Sequence, residues 1–159
     1  MRYWWVNHKQ TFKQEFEGGY IWCPKRKKNG ALNHFYETLR EVQKGDLVFS
    51  YADAALQGVG VAQTPSYSCP RPDEFGKVGE AWDVLGWRAD VGFKTFPKPL
   101  RVIDVARQIA PLLPERYSPI QTTGYGNQGA YLSEISEALA RRLLELADRK
   151  LVGLIKPSR

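Results

Sequence analysis

The feature that most constrains the fold is a series of short strand-forming runs that do not alternate with helices. They are residues 2–6 (RYWWV), 19–23 (GYIWC), 46–51 (DLVFSY), 58–63 (GVGVAQ) and 87–93 (WRADVGF). Each is rich in aromatic and β-branched side chains, which suit a pleated, half-buried surface. A doubly wound parallel sheet needs regular strand–helix–strand alternation, and no Gly-rich phosphate loop follows any of these runs. The pattern predicts an α+β domain: a small curved β-sheet or barrel of five to six strands flanked by helices. Gly58 and Gly60 alternate with Val59 and Val61, which marks a strand approached closely by another backbone or a ligand.

Helical periodicity fills the gaps. Residues 11–16 form a short helix with Thr11 at its N-cap and Phe12 and Phe16 on one face, broken by Gly18-Gly19. Residues 33–39 form a second. Residues 102–113 form a third, bent or ended early by Pro111. Over residues 131–148, Leu132, Ile135, Leu139, Leu143 and Leu146 share one apolar face opposite Glu134, Glu137, Arg141 and Glu145. Residues 64–80 read as a long loop, residues 118–129 as a glycine-rich loop, and the Pro97/Pro99 pair as the end of the strand at 87–93. The 159 residues fit one domain, residues 1–150, followed by a tail or linker, residues 151–159.

Several classes are disfavoured. No run approaches the roughly 18–20 apolar residues of a membrane span, and the N-terminus lacks a secretory signal. Cys23 and Cys69 read as free thiols in a reducing cytoplasm. Two cysteines and two histidines without paired spacing argue against a metal site. No nucleophile elbow, zinc-protease or Walker signature occurs, so neither catalysis nor a cofactor is expected.

Binding is the better expectation. The formal charge is +6, and aromatics are 13% of the chain with five tryptophans, a combination that suits a polyanion partner. Trp22 precedes Cys23, Pro24 and the basic run Lys25, Arg26, Lys27 and Lys28. An indole beside cations can stack on a base while the cations hold phosphates. The equal alternative is a core tryptophan beside a solvated loop. Trp82 and Trp87 flank the end of the long loop; one can complete a cage while the other anchors the loop. Tyr51 and Asp53 can reach a base edge, and Asn127 and Gln128 carry amides that suit base edges or phosphates.

In order, YWWVN, KGDLVFSY, GVGVAQ and WRADVGFKTFPKP resemble the EVE domain of the PUA-like superfamily and, more distantly, the YTH domain, across about residues 3–148. The resemblance implies a PUA-like/EVE fold and a reader of modified bases in nucleic acid. Within it, GYIWCP is similar to the YTH segment that supplies the first tryptophan of a methyl-base cage, which gives Trp22 the stacking role and places Cys23 beside the base. Trp82 and Trp87 occupy the stretch that supplies further cage tryptophans. Asn7, His8 and Lys9 follow the first strand where YTH polar residues contact the base.

The resulting expectation is a non-catalytic reader. It flips a modified base, 5-methylcytosine or 5-hydroxymethylcytosine in DNA, into an aromatic pocket. By the EVE resemblance it would be the specificity domain of a modification-dependent restriction endonuclease, with an HNH nuclease supplied by a further domain. Two alternatives stand beside it: a reader of modified RNA bases such as N6-methyladenine, and a module for a small ligand or a protein.

Overall fold

Trp4 and Trp5 point to opposite sides of strand β1 (Tyr3–Asn7), and neither is exposed. In a strand, successive side chains alternate faces, so β1 is covered on both sides and must lie inside the sheet. The computed structural model, which describes residues 1–157, places it there. β1 runs parallel to β3 (Leu47–Ala52) and antiparallel to β7 (Leu132–Ile135). β3 turns into β4 (Ala55–Ala62) through Asp53 and Ala54, both with positive φ (53° and 63°), as a two-residue hairpin of primed type requires. β4 pairs with β6 (Leu85–Arg101), which also carries β2 (Tyr20–Pro24) and β5 (Tyr67–Pro70). The order is β2-β6-β4-β3-β1-β7, with β5 on β6.

The short helices α1 (Phe12–Gly18), α2 (His34–Glu37), α3 (Gly76–Gly79), α4 (Val102–Ile109) and α5 (Glu137–Ala147) surround this mixed sheet. The α+β architecture and the curved sheet with helices therefore stand as expected, with one or two strands more.

Each face of the sheet buries its own core. Trp5, Phe49, Leu56, Val59 and Phe96 meet Leu139 and Leu143 of α5 on one side. Trp4, Val6, Ile21, Val48 and Val91 meet Leu39 and Val42 on the other. Gly58 and Gly60 permit the close pairing of β4 with β6. A Cβ at Gly58 would lie 2.1 Å from the Lys94 carbonyl oxygen, and one at Gly60 would lie 2.5 Å from a Val91 methyl.

Three local readings change. Residues 131–148 are not one helix: Leu132–Ile135 is strand, and α5 begins only after Ser136, whose side chain accepts the Leu139 N–H. Leu132 and Ile135 are buried in either geometry, so apolar spacing alone could not separate them. β6 does not end at its prolines but continues to Arg101. The register shift between Leu56 and Gly58 lies opposite this stretch, where the missing proline donors interrupt no regular ladder. The supposed loop at 64–80 contains β5, a 3-10 turn at Asp73–Phe75 and α3. Within the expected tail, Ile155 is buried against the core, with Leu151, Val152 and Leu154 beside it; Ser158 and Arg159 lie outside the described residues.

Candidate nucleic-acid interface

A cavity of about 500 Å³ opens where β1 and β3 end, between the start of α1, the end of β2 and the loop at 118–131. Its aromatic walls are Tyr36 on α2, Tyr51 at the end of β3, Trp82 after α3, and Tyr131 before β7. His8, Lys9, Asn127 and Gln128 also border it, with Lys9 and Gln128 exposed at the rim.

The floor rests on a buried carboxylate. Glu15 is fully buried on the inward face of α1. It accepts hydrogen bonds from the Thr11 hydroxyl, the Trp22 backbone N–H at 3.1 Å and the Tyr131 hydroxyl at 2.6 Å. A buried charge is tolerable only when hydrogen-bonded in this way. His8, also buried, has Nε2 2.6 Å from the Ser50 hydroxyl and Nδ1 3.7 Å from Glu15. Asn7 uses its whole amide as a strut: Oδ1 accepts from the Trp5 indole at 2.7 Å, and Nδ2 donates to the Pro119 carbonyl at 3.0 Å. Asn127 donates from Nδ2 to the Ser118 carbonyl at 2.8 Å. These two amides fix the loop that forms one wall.

The Cys23 thiol and the tyrosine hydroxyls around this space hold their protons. Burial pushes the Tyr131 hydroxyl and the Cys23 thiol well up, in both cases reinforced by the nearby Glu15 charge. Burial likewise raises Tyr51 and Tyr36, with hydrogen bonding from Trp82 partly offsetting the rise at Tyr36. The walls therefore offer neutral O–H groups and ring faces. Cys23 donates to the Tyr36 carbonyl at 3.5 Å and remains a thiol, so it lacks the thiolate a nucleophile needs.

Asn7, His8, Lys9, Trp22, Cys23, Tyr51, Trp82, Asn127 and Gln128 all line this one cavity. The structure changes the part some of them can play. Trp22 is only 2% exposed. Its indole N–H donates to the Cys69 carbonyl at 2.9 Å, its ring meets Phe75 edge-on, and a Cβ on Gly86 would lie 2.2 Å from it. These contacts hold its ring against the protein, although the residue still borders the hollow. Trp87 lies outside the cavity. It faces Cys23 across β2–β6 with Lys25 Nζ 4.0 Å and Arg40 5.4 Å from its ring centroid. Asp53 sits in the β3–β4 turn, where its left-handed backbone explains it without a ligand. Lys25, Arg26, Lys27 and Lys28 leave the cavity edge after Pro24: Lys25 donates to the Ser68 hydroxyl at 2.6 Å and Arg26 to the Gly30 carbonyl at 3.1 Å.

Sequence reasoning missed Glu15, Tyr36 and Tyr131. For Glu15 a signal existed, since it shares a helical face with Phe12 and Phe16. Tyr36 and Tyr131 carry no local mark that separates wall from core.

No protein-family model matches the chain, and no curated protein matches it. Solved structures do. A point-mutant ASCH protein from Zymomonas mobilis is similar over 93% of this chain and all of its own, with TM-score 0.59 and 8% identity. A hypothetical protein from Leishmania major matches over 94% of this chain and 96% of its own, with TM-score 0.61 and 10% identity. The YTH domain of Toxoplasma CPSF4, in apo form, matches over 99% of this chain and 88% of its own, with TM-score 0.55 and 13% identity. Among the described residues no helix is long and apolar enough to cross a membrane. At these identities the likeness is one of fold alone, the curled mixed sheet with helices that the ASCH and YTH structures share with this chain.

Proposed function

We propose that this chain is a reader of nucleic acid carrying a modified base, which it holds flipped out in the cavity at the ends of β1 and β3. One observation carries the reading. A cavity of about 500 Å³ is walled by Tyr36, Tyr51, Trp82 and Tyr131, with an amide and a cation at its lip. That volume lies within the roughly 300–1,000 Å³ range of small-molecule sites. The ring faces can sandwich a heterocycle, and the protonated Tyr51 hydroxyl can donate to its edge. Gln128 and Lys9 lie where sugar and phosphate would emerge.

Extruding a base costs a few kcal/mol, which stacking at roughly 1–3 kcal/mol per base can offset. A methyl or hydroxymethyl group against the apolar wall adds about 0.8 kcal/mol per buried carbon, so preference over the plain base should be several-fold from packing alone. The protonated Cys23 favours binding without chemistry. The EVE resemblance extends the reading to modified cytosine in DNA and to a partner HNH nuclease domain that would do any cutting.

The test is a competition binding screen. It uses matched DNA duplexes carrying cytosine, 5-methylcytosine, 5-hydroxymethylcytosine or N6-methyladenine, and the corresponding RNA strands. Preference for a modified cytosine duplex is expected. A clear win for methylated RNA moves the site to RNA, and equal, salt-insensitive or undetectable binding of all of them removes the reading.

A further inference from the structure

The tightest ring stack in the molecule lies outside the cavity. His34, the first residue of α2, stacks on Tyr117 with centroids 3.6 Å apart and planes 15° from parallel. Phe35 meets both rings edge-on at 5.7 and 5.9 Å, and the Arg116 guanidinium lies 5.4 Å from the Tyr117 centroid. The Tyr117 ring is not buried by this arrangement: the residue is 47% exposed, at the rim of an open groove of about 620 Å³. Arg116 makes no ion pair among the described residues, whereas Arg2 across the groove is held by Glu134 at 2.6 Å.

The backbone gives a second, independent sign. Tyr117 has φ 56°, the left-handed region, which is unfavourable for a bulky side chain and costs on the order of 1–3 kcal/mol. Glycine or asparagine would sit there with less strain. A tyrosine held in this conformation packs on His34 and Phe35 and lies outside the buried core.

Its position relative to the cavity is fixed. Two residues beyond Tyr117, the Pro119 carbonyl accepts from the Asn7 amide and from the Asn127 backbone N–H, and both of those residues line the cavity. Two residues beyond His34 is Tyr36, a cavity wall. Two residues span at most about 7 Å of chain, so the stack is rigidly joined to both sides of the cavity mouth.

We infer that the His34–Tyr117 stack, with Arg116, is a second nucleobase platform. It receives an unpaired base flanking the one in the cavity and holds the intervening phosphate with the arginine. This rests on the reader function proposed above. The partner is a nucleic-acid strand rather than an apolar peptide, because the site offers a half-exposed aromatic pair and a cation with no ion pair among the described residues. Any base has a face to stack, so the platform adds affinity without choosing among modifications.

The test uses the whole chain with labelled strands carrying 5-methylcytosine or cytosine at one position. Tyr117→Gly removes the ring and relieves the strained backbone; Tyr117→Phe keeps the ring. Tyr117→Gly should fold at least as stably, by thermal melting, and bind both strands roughly 5- to 150-fold more weakly, the range of one lost stacking contact. The modified-to-plain ratio should not move, and Tyr117→Phe should bind as the unaltered chain does. 2-Aminopurine placed beside the modified base should be quenched on binding by the unaltered chain but not by Tyr117→Gly.

Unchanged affinity and unchanged quenching in Tyr117→Gly overturn the platform; if Trp82→Ala still weakens modified-strand binding in the same experiment, the cavity reading survives alone. A shift from dimer to monomer in Tyr117→Gly assigns the face to a second copy of the chain and overturns it as well. A chain that binds none of these strands removes both.

Discussion

Two aromatic groups lie on either side of the end of β2 and differ in what their neighbours leave open. Tyr20, Trp22 and Phe75 form a closed cluster in which each polar handle is answered: the Tyr20 hydroxyl donates to Glu74 at 2.7 Å and the Trp22 indole to Cys69. Burial, reinforced by the hydrogen bond to Glu74, pushes Tyr20 far above the ordinary phenol range, so its hydroxyl stays neutral. Tyr36, Tyr51 and Trp82 are half-buried around a hollow instead. The residue types are the same on both sides. What separates them is whether another segment covers the ring: β5 and the turn at Asp73–Phe75 cover Trp22, and nothing among the described residues fills the cavity. An aromatic side chain becomes a binding surface through the absence of a neighbour, which is a property of the fold rather than of the residue.

The sharpest way to break that comparison is to truncate one ring on the closed side. Trp22→Ala should destabilise the fold by about 3–5 kcal/mol, as large-to-small core changes do, and lower the thermal midpoint by many degrees. If Trp22→Ala melts normally but loses nucleic-acid binding, the indole is a cage wall after all and the contrast collapses.

Next in size is the carboxylate beneath the cavity. Glu15→Ala leaves the Thr11 and Tyr131 hydroxyls without their acceptor and the Trp22 N–H with the Tyr131 hydroxyl oxygen alone. Each orphaned donor costs about 1–3 kcal/mol, reduced where cavity water can reach it, so a loss of about 3 kcal/mol is expected from denaturant unfolding. A change below about 0.5 kcal/mol, the scale of an ordinary surface substitution, would mean that the network does not hold the floor.

The comparison also explains what could be read from the sequence. Strand runs such as YWWVN and DLVFSY announce themselves because β-branched and aromatic residues at period two have one structural solution. The alternation of Gly58 and Gly60 forecast a close backbone approach, and the β6 pairing supplies it. Leu132 and Ile135 misled because a strand and a helix both bury residues three apart. The cavity was half legible: Asn7, His8, Tyr51, Trp82 and Asn127 come together there, yet Asn7 and Asn127 prove to be struts. Trp22 differs from Trp82 through its cover by β5 and the Asp73–Phe75 turn, and Trp87 through its place on β6 between β2 and β5, which no local pattern encodes.

On the open side, Tyr36→Ala and Trp82→Ala should each cost roughly 1–3 kcal/mol of affinity for a modified strand, one stacking contact. Their effect on stability should be smaller than that of Trp22→Ala, because both rings are already partly exposed. Isothermal titration alongside thermal melting separates the two quantities. Equal stability losses for Trp22→Ala and Trp82→Ala would show that the two groups do the same job.

The smallest expected effect concerns charge, and it asks whether the open side has its own phosphate contacts. Lys9 is exposed at the cavity rim, while Lys25 and Arg26 have their own partners on the protein at Ser68 and Gly30. Each phosphate contact contributes about 0.7–0.9 to the slope of log affinity against log salt. Lys9→Gln should therefore reduce that slope by close to one contact, while Lys25→Gln, whose cation sits over Trp87, should change it less. If Lys25→Gln flattens the slope and Lys9→Gln does not, the strand crosses the β2–β5 surface instead of the rim. The cavity would then be approached from the side that the closed aromatic cluster occupies.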